Sequence, residues 1–198
     1  YLNQLIAFQD KEPVKVITGI RRCGKSSLLK LMQEHLLNSG VKQDQIIAIN
    51  FESLEFQEMN YKELYEYVKK KIPNTKRAYL FFDELQRIER WEDAINSFRV
   101  DFDCDIYITG SNSYLLSSEY STYLSGRYIE IKMYPLSFKE FIDFHGYKLK
   151  EYKTPIGEKK KRAINEKDEI VEVRDLFDAY MRYGGMPGIA DVGLEQDQ

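Results

Sequence analysis

Cysteine and histidine are scarce in this chain, with Cys23 and Cys104 the only thiols and His35 and His145 the only imidazoles. Neither pair has the short spacing of a zinc site, and two distant thiols build no disulfide framework. They read as reduced thiols and helix-surface histidines, and no Ser-His-Asp arrangement can be assembled from them. Long apolar runs are missing as well. Nothing approaches the roughly 20 residues that cross a bilayer, and no charged-then-apolar leader opens the chain, so a cytoplasmic protein without membrane contact is the expectation. Positive charge is not in excess: 29 Lys and Arg face 32 Asp and Glu for a net charge of −3. No global positive field draws nucleic acid toward such a chain. Tyr1-Leu2-Asn3 lacks an initiator Met and Gly193 to Gln198 trail off in polar residues, which sets the expectation of a fragment of a longer protein.

The 198 residues are 43% apolar and 31% charged, a globular balance long enough for one ordinary domain with a small appendage. Its 15 tyrosines and 11 phenylalanines are scattered and report core packing. Short β-branched runs alternate with helical patterns, which predicts an α/β architecture on a mostly parallel sheet. The runs at 14–18, 46–51, 78–82, 105–109 and 128–134 are the expected strands. Between them, Leu28, Leu29, Met32, Leu36 and Leu37 recur at helical spacing over 25–38, with Gly40 as the stop. Asn60 with Glu63, and Ser137 with Glu140, have the spacing of capping boxes. Further helices are expected at 91–100, 113–124 and 168–183. Residues 148–167 hold many lysines and few apolar residues, and read as an exposed or disordered connector. Its Lys159-Lys160-Lys161-Arg162 run reads as a solvated loop, with nucleic-acid contact as the alternative.

Chemistry concentrates in Gly19-Ile20-Arg21-Arg22-Cys23-Gly24-Lys25-Ser26, a full G-x-x-x-x-G-K-[ST] match lying between an apolar strand and an amphipathic helix. Glycines let the backbone curl so that successive N–H groups point at phosphate oxygens, and the helix N-terminus adds partial positive charge. Lys25 supplies a point charge to the β and γ phosphates, and the Ser26 hydroxyl can ligate Mg²⁺. Asp83 and Glu84 follow four apolar strand residues. That places them in the crevice where open α/β sheets bind ligands; Asp83 suits the metal, and Glu84 suits orienting and polarising a water. Asn112, and secondarily Ser111, end the fourth strand, where a polar side chain can reach the γ phosphate or that water. Arg127 precedes the fifth strand and is either a surface residue or an arginine finger for a neighbouring subunit. The sequence leaves open whether Arg21 and Arg22 touch phosphate or solvent.

These stretches, with Phe81-Phe82-Asp83-Glu84-Leu85-Gln86, Trp91-Glu92, Thr109-Gly110-Ser111-Asn112, Ser125-Gly126-Arg127, Tyr134-Pro135-Leu136-Ser137-Phe138 and Tyr183-Gly184-Gly185-Met186-Pro187, resemble the AAA+ branch of P-loop ATPases. More closely, they resemble the ATPase group whose members carry an uncharacterised, sometimes nuclease-like, C-terminal domain. The resemblance covers almost the whole chain. It implies a P-loop NTPase sheet of the ASCE/AAA+ type in the order 5-1-4-3-2, with ATP and Mg²⁺ bound across residues 19–27, Ser27 included. It implies Asn112 or Ser111 as the first sensor and Arg127 as a finger acting through self-association. Residues 1–135 would be the ATPase core. Residues 136–198 would be a small helical lid with the flexible lysine-rich connector inside it and Pro187 packed near the base. No firm second-sensor arginine is present, Arg182 being a candidate without a motif. Nucleic acid enters as a partner only by association with the family. The activity implied is ATP hydrolysis coupled to domains outside this chain. The alternatives are a nucleotide-gated switch with little turnover, and a phosphotransferase for which no acceptor site is visible.

Overall fold

Strand β1 (Val14–Gly19) is buried along its full length, as a strand inside a parallel sheet with both faces covered must be. The computed structural model describes residues 1–73, 76–110 and 126–187, and these fall into two compact units dividing after Met133. In the first unit, helix α1 (Leu2–Ala7) leads to β1, and α2 (Lys25–Asn38), β2 (Ile46–Asn50), α3 (Tyr61–Lys71), β3 (Ala78–Asp83), α4 (Trp91–Asp101), β4 (Cys104–Gly110) and β5 (Tyr128–Met133) follow. The five strands are parallel and ordered β2-β3-β4-β1-β5, the order that the resemblance implies. The helix expected at 113–124 lies outside the described residues.

Alternation along each strand sends side chains to two cores. Val16, Ile49, Leu80, Phe82, Ile106 and Ile108 pack with α3 and α4, whereas Ile17, Tyr79, Phe81, Tyr107 and Ile131 pack with α1 and α2. Phe81 and Tyr107 stack at 4.7 Å between ring centroids. Both capping boxes form: Asn60 accepts from the Lys62 and Glu63 amides while Glu63 reaches back to the Asn60 amide, and Ser137 and Glu140 do the same.

A polar network interrupts the apolar floor of this sheet. Lys15 and Asp105 are buried and ion-paired. Lys15 also donates to the Lys11 carbonyl at 2.6 Å, and Asp105 accepts from the Tyr107 hydroxyl at 2.9 Å and the Asp10 amide at 2.8 Å. Tyr79 donates to Asp10 at 2.9 Å. Burial holds the Lys15 ammonium below its ordinary range despite the pull of Asp105. Burial, with nearby carboxylates, pushes the Cys104 thiol from 9 up to about 12 and the Tyr79 phenol from 10 up to about 12, and raises Tyr107 as well. These three acids hold their protons more tightly folded than unfolded. The stability they contribute is whole below the unfolded values and is lost as pH rises toward the folded ones. Lys15 works the other way, since folding penalises its charged form and deprotonation relieves the penalty. With three groups against one, the melting temperature is expected to fall from about pH 9 toward pH 12. Cys104→Ser should delay that fall to about pH 10, where tyrosine begins to titrate. A pH series of melts that stays flat to pH 11 would remove the network as the cause.

In the second unit, α5 (Phe138–Phe144) is followed by β6 (Lys148–Lys153), β7 (Lys159–Ile164), β8 (Ile170–Glu172) and α6 (Val173–Tyr183). This corrects two sequence expectations. The lysine-rich stretch is an antiparallel three-stranded sheet, ordered β6-β7-β8, and not a connector inside a helical lid. The last helix begins at Val173 because residues 170–172 pair with β7. A small core of Ile142, Ala163 and Leu176, with Phe138, Tyr147 and Val171 against it, suffices to fix the sheet on α5 and α6. The ends of the unit are clasped: the Leu136 amide donates to the Gly185 carbonyl at 2.7 Å and the Tyr180 hydroxyl to the Leu136 carbonyl at 3.0 Å. A Cβ at Gly185 would stand 2.1 Å from the Leu136 oxygen, so no other residue fits there without moving the backbone.

Candidate functional site

The site grows from the turn between β1 and α2. Gly24 stands at φ +100 as the N-cap of α2, so the helix opens at Lys25-Ser26-Ser27 with its first amides unpaired by the helix. A Cβ at Gly19 would lie 2.7 Å from both the Cys23 sulfur and the Met133 carbonyl oxygen. Only glycine lets the turn curl this tightly against β5, with Cys23 buried beneath it. Ile20, Arg21 and Arg22 line the outside of the turn and are exposed. Arg21 pairs with Glu52 at 3.3 Å, which Arg87 also meets at 3.3 Å. Arg22 stands at φ +68.

Lys25 is 4% exposed, and its ammonium donates to the Gly19 carbonyl at 3.1 Å and the Ile20 carbonyl at 3.2 Å. The Glu84 carboxylate lies 3.8 Å from it. Strand order explains the approach, because β4 is the one strand separating β1 from β3 and all three run parallel. Their C-terminal ends therefore meet on one edge of the sheet. Asp83 ends β3 and is buried, and Glu84 follows at φ +56. Among the described residues five non-glycines have positive φ, and two of them, Arg22 and Glu84, lie here. Left-handed backbone at a non-glycine costs about 1 kcal/mol or more and persists where the surroundings impose it. At Glu84 the imposing group is Thr109. Its hydroxyl donates to Asp83 and accepts from the Glu84 amide at 3.0 Å, fixing both acidic residues at once. Gln86 donates to the far oxygen of the Glu84 carboxylate.

Ser26 and Asp83 line one cavity of about 230 Å³ together with Lys30, Gln33 and Asn50. Among the described residues no group of three or more His, Cys, Asp or Glu side chains assembles to hold a metal ion. One hydroxyl and one carboxylate fall short of the six oxygens Mg²⁺ demands, so a magnesium ion here would need phosphate and water for the rest. A curled glycine turn, a buried ammonium, unpaired helix amides and this hydroxyl–carboxylate pair fit a phosphate chain carrying such an ion.

The structure thus brings together Gly19, Gly24, Lys25, Ser26, Asp83 and Glu84. Ser111 and Asn112 lie outside the described residues. Arg127 is exposed, and its carbonyl accepts from the Val14 amide at 2.9 Å. It therefore sits at the beginning of β5, at the opposite end of the sheet from the glycine turn, and cannot reach the phosphate loop of its own chain. Pro187 is half-buried in the second unit. Thr109 was not singled out from sequence. Its signal is positional, a hydroxyl at the end of the strand flanking an acidic strand end, and it becomes readable once β4 is known to pair with β3.

Residues 11–142 match the model of an AAA domain family, and the chain belongs to that family of nucleotide-binding modules. It is 40% identical over 200 residues to an uncharacterized protein of Haemophilus influenzae, covering 99% of this chain and 45% of that protein. An uncharacterized protein of Methanocaldococcus jannaschii is 35% identical over 179 residues, covering 89% of this chain and 36% of that one. The chain thus spans less than half the length of either relative. The fold resembles that of AMPPCP-bound DnaA from Aquifex aeolicus, at a TM-score of 0.54 and 12% identity, covering 98% of this chain and 59% of DnaA. It also resembles a DNA polymerase III gamma subunit-related protein of Thermotoga maritima, at 0.53 and 14%, covering 72% and 48%. No helix among the described residues is long and apolar enough to cross a membrane.

Proposed function

We propose that this chain binds Mg-ATP at the turn between β1 and α2, hydrolyses it, and passes the nucleotide state on to parts of a longer protein. The observation that carries the reading is the buried Lys25 ammonium, held by two carbonyls of the turn with Glu84 at 3.8 Å. Few reasons other than a phosphate chain justify a lysine buried among carbonyls at a helix N-terminus. When bound, Mg-ATP supplies the γ-phosphoryl electrophile. Lys25 and the first amides of α2 hold its phosphates, and Ser26 and Asp83 hold the magnesium ion. Glu84 orients the attacking water and takes its proton. Thr109 keeps both acids in place. Asn112 would contact the γ phosphate. Arg127, at the far end of the sheet, acts on the phosphate of a neighbouring copy. The second unit serves as the lid, with Pro187 at its base, and a further C-terminal domain of nuclease-like type would receive the signal.

A melt of the chain with and without Mg-ATP tests the reading, with Lys25→Ala beside it. Ligand at 100 times its dissociation constant adds about 2.7 kcal/mol, which at this size is expected to raise the melting temperature by about 5–10 °C. The rise should vanish in Lys25→Ala. Equal rises in both proteins, or none in the parent, would defeat the assignment.

A further inference from the structure

Sequence and composition present 148–162 as a solvated charged stretch, but strand pairing orders it. Seven cations, Lys148, Lys150, Lys153, Lys159, Lys160, Lys161 and Arg162, share it with two carboxylates, Glu151 and Glu158. Register decides which of them face the same way. Leu149 pairs with Ala163, which is fully buried against Ile142 and Leu176. By alternation, Lys148, Lys150 and Tyr152 of β6 and Lys160 and Arg162 of β7 project from the opposite face. Four cations and a tyrosine thus occupy one face of the ribbon, with the Arg162 guanidinium 5.0 Å from the Tyr152 ring centroid. The nearby carboxylates are Glu172 on β8, opposite Arg162, and Glu158, 3.7 Å from Lys160.

Two cross-strand pairs oppose like charges directly, Lys150 with Arg162 and Lys153 with Lys159. Such pairs weaken a ribbon and are ordinarily avoided. β8 pairs only with residues 162–164, so beyond Arg162 the ribbon is two-stranded and both of its faces meet solvent. There Lys161 meets Glu151 at 4.0 Å, while the turn exposes Ile156. A two-stranded β-ribbon is narrow enough to enter the major groove of B-form DNA, which is about 12 Å wide.

We propose that the β6–β7 ribbon binds the phosphate backbone of duplex DNA, without reading sequence, in a chain whose net charge is −3. The cations carry the affinity through counterion release. Polyphosphate spacing suits the partner, because a duplex presents many anions along a line and the ribbon presents cations along a line. This inference stands apart from the nucleotide site and does not depend on it.

The test is fluorescence anisotropy of a labelled duplex of about 20 base pairs with the chain, in the absence of nucleotide. Neutralising about four phosphates predicts a slope of about −3.6 in log affinity against log salt, a loss of roughly 100-fold between about 50 and 200 mM. Lys150→Glu with Lys160→Glu should weaken binding at least tenfold. Lys69→Glu with Lys70→Glu, on exposed positions of α3 and with the same change in net charge, should weaken it less than twofold. Lys150→Gln with Lys160→Gln, which removes the charges without inverting them, should fall between, and circular dichroism melts confirm that each variant folds. Absence of duplex binding at about 50 mM salt, or equal losses in the two charge-reversal pairs, overturns the proposal. So does binding to phosphatidylserine vesicles without binding to the duplex, which would assign the ribbon to a membrane surface.

Discussion

Glu84→Gln is expected to lower the turnover of ATP by about 10²–10⁴-fold, the range for losing a positioned general base, while leaving ATP affinity within a few-fold of the parent. The geometry separates the two effects. On the proposed mechanism, binding rests on Lys25, the α2 amides and the Ser26–Asp83 pair, which the substitution leaves in place. Its effect on binding is confined to the loss of a carboxylate charge 3.8 Å from the Lys25 ammonium. Glutamine keeps the size of Glu84 and can still meet Gln86 and the Thr109-anchored backbone, so the left-handed position at φ +56 stays supported. What disappears is the acceptor for the proton of water. Single-turnover phosphate release and a nucleotide-binding isotherm on the same preparation check both halves. Unchanged release would remove Glu84 as the base. Sub-stoichiometric release from the parent itself would favour a nucleotide-gated switch over an enzyme that turns over.

The largest stability effect is expected at Asp105. Its carboxylate accepts from Lys15, Tyr107 and the Asp10 amide, so Asp105→Ala leaves a buried ammonium with the Lys11 carbonyl and the face of the Tyr107 ring, 5.5 Å away, in place of a counterion. Breaking a buried pair from one side costs about 3–5 kcal/mol, equivalent at this size to about 6–20 °C in melting temperature. Removing both charges, in Lys15→Met with Asp105→Leu, should recover most of that. The desolvation penalty goes with the ion pair, and the Tyr107 hydroxyl, the Asp10 amide and the Lys11 carbonyl are left to find new partners. Denaturant melts of the two variants decide the matter. A loss below about 1 kcal/mol in Asp105→Ala would mean that water reaches the pair.

The nucleotide-binding half of the fold was legible because each signal was local and redundant. The run from Val14 to Gly19 is rich in β-branched residues and ends in glycine, the helix after it repeats leucine at 3-4 spacing, and Asp83-Glu84 terminates an unbroken apolar strand. Strand order came from family resemblance and not from periodicity, and it is borne out. Thr109 carries no such local signal, because its role depends on which strands are neighbours. The period-2 pattern of the β6–β8 sheet is nearly invisible in sequence: lysines occupy both faces, Leu149 is exposed, and Ala163 and Val171 are the strand residues that join its small core. Composition reported the charge faithfully and the order wrongly. Helix α1 was missed for a related reason, since it is six residues long, lacks a side-chain cap and buries only Leu5.

The clasp between Leu136 and Gly185 gives the second unit the topology of a closed loop, entered and left at one point. Everything between those residues is fastened by two backbone segments lying against each other, so the unit is a cassette whose two ends are already side by side. Chains of that kind tolerate having their interior exchanged whole, because the flanking segments need not be rerouted. Gly185 is then less a hinge than a buckle: lengthening or shortening the turn of the ribbon, away from Ala163, should leave the fastening intact, whereas a single methyl group at the buckle should open it.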